Sequence, residues 1–189
     1  MDTLIERFRE NIEMRFKQLE RAILVENLYG NHGYLVLPLI ATTFINIDTC
    51  SYLDNLRDNN GKKFQDWVSK YINLESISSS LLPVDIYQAR CGILHSSSAI
   101  NTDRGKQKNR VFMYYYQGNP KNLSAVEEAI LQSDKFDKVI MVSAEKLFTV
   151  FLGGLNKWIE EIKGNESKLK LVEDIISTDM LLVSEKLLF

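Results

Sequence analysis

Asp85-Ile86-Tyr87-Gln88-Ala89-Arg90-Cys91-Gly92-Ile93-Leu94-His95 decides how this chain is read. Pro83 just upstream suits the first turn of a helix, because its missing N–H has no partner there in any case. The stretch carries an arginine and a histidine five positions apart on that helix, and the chain holds only two histidines. A base, a fixed cation and the small polar residues Ser96, Ser97 and Ser98 converge in this one segment. Such a set is able to cut a phosphodiester without a metal. At 100° per residue, positions 90 and 95 lie about 140° apart around the helix, so they border a cleft rather than stack.

Outward from this segment the pattern is mostly helical. Leu4, Phe8, Ile12, Phe16, Leu19, Ile23 and Leu28 predict a first helix from about Asp2 to Tyr29, closed by Gly30, Asn31 and Gly33. A second, apolar nearly all round, runs from about Tyr34 to Leu56 and reads as the central helix. Asp48 stands out in it, since a carboxylate there needs a partner. Asp58-Asn59-Asn60-Gly61 reads as a turn. Phe64, Trp67, Val68, Tyr71 and Ile72 mark a third helix, and Pro83 to His95 the fourth.

Ser96 to Gln107 is polar and predicts a loop. Val111 to Tyr116 and Val139 to Val142 have strand composition and are expected to pair as a small hairpin. Ser124 to Leu131 fits a short helix with Ser124 as cap. Ser143 caps a long helix to about Ile162. Gly153-Gly154 within it offers another helix a close approach, at a propensity cost of roughly 1 kcal/mol each. A last amphipathic segment, Glu166 to Phe189, packs on the bundle or on a partner. The expected organisation is a helical domain over 1–162 and a C-terminal helix over 163–189.

The chain has 189 residues, 45% of them hydrophobic and 25% charged, enough for one good core. A net charge of -2 argues against coating nucleic acid by bulk charge. Cys50 and Cys91 make no disulfide framework and read as reduced thiols. The charged N-terminus has no apolar signal core. No apolar run nears the roughly 20 residues of a membrane span. The expected place is the cytoplasm, with no membrane association.

The stretch from Asp85 to His95 resembles the signature helix of the HEPN superfamily, whose members carry an arginine and a histidine separated by four to six residues. Phe44-Ile45-Asn46-Ile47-Asp48 is similar to the apolar second helix with its inward acid. Gly61-Lys62-Lys63-Phe64-Gln65-Asp66-Trp67-Val68-Ser69-Lys70-Tyr71-Ile72 is similar to the third-helix segment. The resemblance covers Tyr34 to His95 and extends loosely to Ile162. It implies a bundle of four to six helices, here with the small β-hairpin inserted after the motif helix. It also implies a homodimer with Arg90 and His95 of both protomers in one cleft, and metal-independent RNA cleavage of toxin or phage-defence type, with a cognate antitoxin as a further partner. Active members usually carry a polar residue directly after the arginine. Cys91 stands there in this chain, so one supporting hydrogen-bonding group is missing.

In the expected chemistry His95, with an ordinary pKa of about 6.5, takes the ribose 2′-hydroxyl proton. Arg90 presents a permanently charged fork to the phosphate oxygens. No cluster of histidines, cysteines or acids has metal-ligand spacing, and no cofactor is expected. Two readings fit each supporting residue. Asp48 either orients Arg90 or His95, or is a buried acid bonded to helix neighbours. Tyr87 either borders the cleft or packs in the core. Ser96 either serves the site or ends the helix. Arg104, Lys106, Lys108 and Arg110 either track an RNA backbone or form a solvated loop. Tyr114 to Tyr116 either stack bases or alternate between core and surface. A non-catalytic helical module binding a protein or nucleotide is the competing expectation for the whole chain. His32 has no assigned role.

Overall fold

The computed structural model describes residues 3–28, 35–96, 100–101, 110–116, 128, 132 and 138–179, of which 27, 28, 95, 96, 100, 101, 110, 111 and 138 are described by their backbone alone. Among these residues six α-helices dominate: α1 (Leu4–Leu28), α2 (Val36–Asp54), α3 (Gly61–Tyr71), α4 (Pro83–Ser96), α5 (Ala144–Lys163) and α6 (Glu166–Asp179). A single 3-10 turn, Leu74–Ser76, links α3 to α4. Three short strands, β1 (Ile100–Asn101), β2 (Arg110–Tyr115) and β3 (Lys138–Ser143), follow α4.

The apolar character of α2 sets the arrangement. It touches every one of the other five helices, as a helix with little polar surface must. Leu39, Ile40, Phe44, Ile47, Cys50 and Leu53 are buried along it, with Pro38 in its first turn. By length and composition alone α2 is apolar enough to cross a membrane, which corrects the expectation that no run nears that length. Its place at the centre of the bundle gives the apolar residues another reason to be there.

The core is continuous from α1 to α6. Trp67 of α3 meets Trp158 and Phe151 of α5 edge-on or tilted, and Phe8 of α1 meets Trp158 edge-on. Phe112, Ile140 and Val142 extend the core into the sheet. Val172, Ile175 and Ile176 of α6 are buried in the same core. Through Asp179 the C-terminal segment therefore packs on the bundle; residues 180–189 lie outside the described residues. The end of α6 is clasped to the end of α2, where the Arg57 guanidinium donates from Nε and Nη2 to the Asp179 carboxylate at 2.8 Å each and the Tyr52 hydroxyl donates at 2.8 Å. Leu56 and Arg57 both have positive φ, 51° and 73°, so α2 stops at Asp54 and the chain reverses there. A depressed Asp179 pKa accompanies the clasp, caused first by the Arg57 bond.

β2 and β3 pair, but in parallel, from Arg110 with Lys138 to Tyr115 with Ser143. The expected hairpin is corrected on this point. Parallel neighbours need a crossover of a dozen or more residues, and the segment 116–137 supplies it. The short helix expected over 124–131 falls on this crossover, outside the described residues except for 128. The antiparallel partner of β2 is β1, through Ile100 with Val111 and Asn101 with Arg110, a strand absent from the sequence expectation. Ser143 caps α5 as expected, its Oγ accepting from Lys146 N at 3.2 Å.

The two mid-helix glycines of α5 have different surroundings. A Cβ on Gly154 would lie 2.8 Å from Ile72 Cδ1 and 2.9 Å from the Tyr71 carbonyl oxygen, whereas one on Gly153 would meet nothing within 4 Å. Only Gly154 serves the close approach. Gly153→Ala should raise unfolding stability by about 1 kcal/mol through helix propensity. Gly154→Ala should lower it by about 1–3 kcal/mol by overpacking against the end of α3. Urea denaturation of both variants checks the pair; equal effects would contradict the packing described.

Candidate functional site

The N-terminus of α4 is built locally. Pro83 takes the first helical position, and Asp85 reaches back so that its Oδ2 accepts from Leu82 N at 2.9 Å, the carboxylate arm of a capping box. Ile86, Ala89 and Ile93 form its buried face. Tyr87, Arg90, Cys91 and Leu94 follow at helical spacing along the border of that face and are all half-buried. Arg90 is thereby carried to the seam between α4 and α2.

Asp48 of α2 waits at that seam. Arg90 Nη2 donates to Asp48 Oδ2 at 2.5 Å, with side chains 19% and 29% exposed. Asn59, from the turn before α3, donates through Nδ2 to Asp48 Oδ1 at 3.0 Å and to the Asp48 carbonyl oxygen at 3.3 Å. The fully buried Ser51 hydroxyl donates to Asn59 Oδ1 at 2.9 Å. Asp48 thus ties α2 to both α4 and the α2–α3 turn. Burial alone would lower the Arg90 pKa; the hydrogen bond and charge of Asp48 more than offset it, and the group stays firmly protonated.

The other side of Arg90 holds sulfur and a phenol. Arg90 Nη1 lies 3.9 Å from Cys91 Sγ. The Tyr87 phenol is pushed up, first by the neighbouring Cys91 and then by burial. Its ring packs on Phe64 with centroids 5.6 Å apart. Its hydroxyl end overlies Gly61, where a Cβ would come within 2.7 Å of Tyr87 Cζ. Gly61 is the first residue of α3 rather than the end of a turn, and Asn60 caps that helix through bonds from Lys62 N and Lys63 N.

The structure brings together Asp48, Tyr87, Arg90 and Cys91. His95 and Ser96 occupy the last turn of α4, and their side chains lie outside the described residues, as do Arg104, Lys106 and Lys108 altogether. Arg110 opens β2 with its backbone paired to Asn101 and Lys138; its side chain is likewise outside. Phe112 and Tyr114 stack within the sheet, and the buried Tyr114 hydroxyl has its pKa raised by desolvation. Among the described residues no group of three histidines, cysteines or acids stands close enough to hold a metal ion. Asn59 and Ser51 were missed by sequence reasoning, which took Asn59 as turn punctuation. The one usable signal was Asp48, an acid within an apolar run, whose need for partners was evident.

No family model, curated protein or solved structure matches this chain. The geometry of the α2–α4 seam therefore stands on its own.

A partly buried pair falls between an exposed pair, worth about 0.2–1 kcal/mol, and a buried one. A double-mutant cycle on Asp48→Ala and Arg90→Met should return a coupling of about 1 kcal/mol in unfolding free energy. Each single change should lower stability, since each removes the counter-charge of a partly buried ion. Chemical denaturation of the four proteins checks this; a coupling of zero would show that the pair is incidental.

Proposed function

We propose that this chain is a metal-independent endoribonuclease of HEPN type, acting as a cytoplasmic homodimer in a toxin or phage-defence role. The observation that supports it is the Asp48-oriented guanidinium of Arg90 on the helix that, one and a half turns later, carries His95. In the proposed reaction His95 removes the proton of a ribose 2′-hydroxyl. The 2′-oxygen attacks the adjacent phosphorus, and the 5′-oxygen leaves with a proton returned by an imidazolium. The products are a 2′,3′-cyclic phosphate and a 5′-hydroxyl. Arg90 offsets the charge that builds on the phosphoryl oxygens. A two-fold interface would place both copies of the pair in one cleft, because such interfaces repeat the same patch. Arg104, Lys106, Lys108 and Arg110 would follow the RNA backbone, and a cognate antitoxin would mask the cleft.

A second reading has its own support. Asp48 engages Arg90 directly, and Cys91 stands where active HEPN members carry a polar group. In a non-catalytic module binding a protein or nucleotide, Arg90 and Asp48 would serve only to lock α2 against α4.

His95→Ala separates the two. On the nuclease reading it abolishes cleavage of RNA while folding and dimerisation persist, and the unsubstituted protein cuts in excess chelator. On the second reading His95→Ala lowers the melting temperature by several degrees, the scale of about 1–2 kcal/mol for a broken buried hydrogen bond. A purified protein that cuts no RNA, or cuts only with divalent metal, defeats the first reading.

A further inference from the structure

Asp48 has two carboxylate oxygens, and each has a different partner. Oδ2 accepts from Arg90, and Oδ1 accepts from Asn59 Nδ2. The terminal torsion of an aspartate is broad and roughly two-fold, so a single bond to Arg90 would leave the carboxylate plane free to swing. Asn59 removes that freedom by holding Oδ1 and the Asp48 carbonyl oxygen together. The amide of Asn59 is oriented in turn, because the buried Ser51 hydroxyl donates to its oxygen and turns its NH2 edge to Asp48. Ser51 sits one turn beyond Asp48 on α2, so the frame for this chain of bonds is the most buried helix of the bundle.

We infer that Asn59 is a positioning residue for Arg90, acting through Asp48. Its catalytic meaning rests on the nuclease reading above; its geometric effect on Arg90 does not. Fixing the acceptor plane fixes the direction of the guanidinium fork, and a cation aimed at a transition state loses effect steeply when misplaced, by up to about a hundredfold per ångström.

The test uses Asn59→Asp and Asn59→Ala in the full chain. Asn59→Ala deletes the donor to Asp48 outright, whereas Asn59→Asp keeps the shape and the acceptor for Ser51 but sets a second carboxylate against Asp48. Two readouts are taken: nitrogen–proton correlation spectra of the Arg90 guanidinium, assigned with Arg90→Lys, and steady-state cleavage of RNA. The expected result is that the separate Nη signals of Arg90 collapse in both variants, and that kcat falls about tenfold or more with KM unchanged. Retention of the wild-type Arg90 signals in Asn59→Ala overturns the proposal, as does loss of the fold in both variants, which would make Asn59 architectural. Should the unsubstituted protein cut no RNA, the nuclease reading fails while the spectra still decide the role of Asn59.

Discussion

Two carboxylates on an apolar helix organise this bundle. Asp48 and Asp54 lie on α2, which the other helices surround, and desolvated acids are destabilising unless met in place by hydrogen-bonded cations. Asp48 meets Arg90 of α4. Asp54 accepts from Trp158 Nε1 of α5 at 2.9 Å and from Lys168 Nζ of α6 at 2.6 Å. Hydrophobic burial brings the helices to α2 without direction, since it depends on area alone. The two acids add direction, because each is satisfied at only one register of its neighbours.

The same logic explains how the outer elements close the structure. The clasp of Arg57 and Tyr52 on Asp179 joins the end of α6 to the end of α2, at a point where the backbone holds two successive left-handed residues. Left-handed conformation is unfavourable for side chains such as leucine and arginine, and it persists where surrounding contacts over-determine it. Here the fork of Arg57 on Asp179 is one such contact.

Helices were legible because their signals are local and redundant. The period of apolar residues in α1 and α5, Ser143 as a cap and Pro83 as a first residue each fix a boundary from a few neighbours. Strand direction was not legible. Val111 to Tyr116 and Val139 to Val142 announce strands by composition, but the same composition fits either pairing direction, and direction depends on the path of the long segment between them. The site was legible in part for a related reason. Asp48 announces a need for a partner and leaves Arg90, His95 and its helix neighbours open; Arg90 answers it from a separation that no periodicity links. Asn59 was hidden entirely, because a turn asparagine and a hydrogen-bonding asparagine have the same sequence signature.

The pairing of Asp48 with Arg90 bears unequally on the two functional readings. If locking α2 to α4 were the sole task, aliphatic residues of like volume would do it as well, for a buried ion pair is often no more stabilising than its apolar replacement. The seam instead spends a carboxylate, a guanidinium, an amide and a hydroxyl on one chain of bonds, all at a border where the pair still reaches solvent. Such a chain adds little net stability, since each bond replaces one to water. What it does add is direction for a permanent positive charge, and direction is what a cation must have to act on a phosphoryl group rather than merely to sit beside an acid.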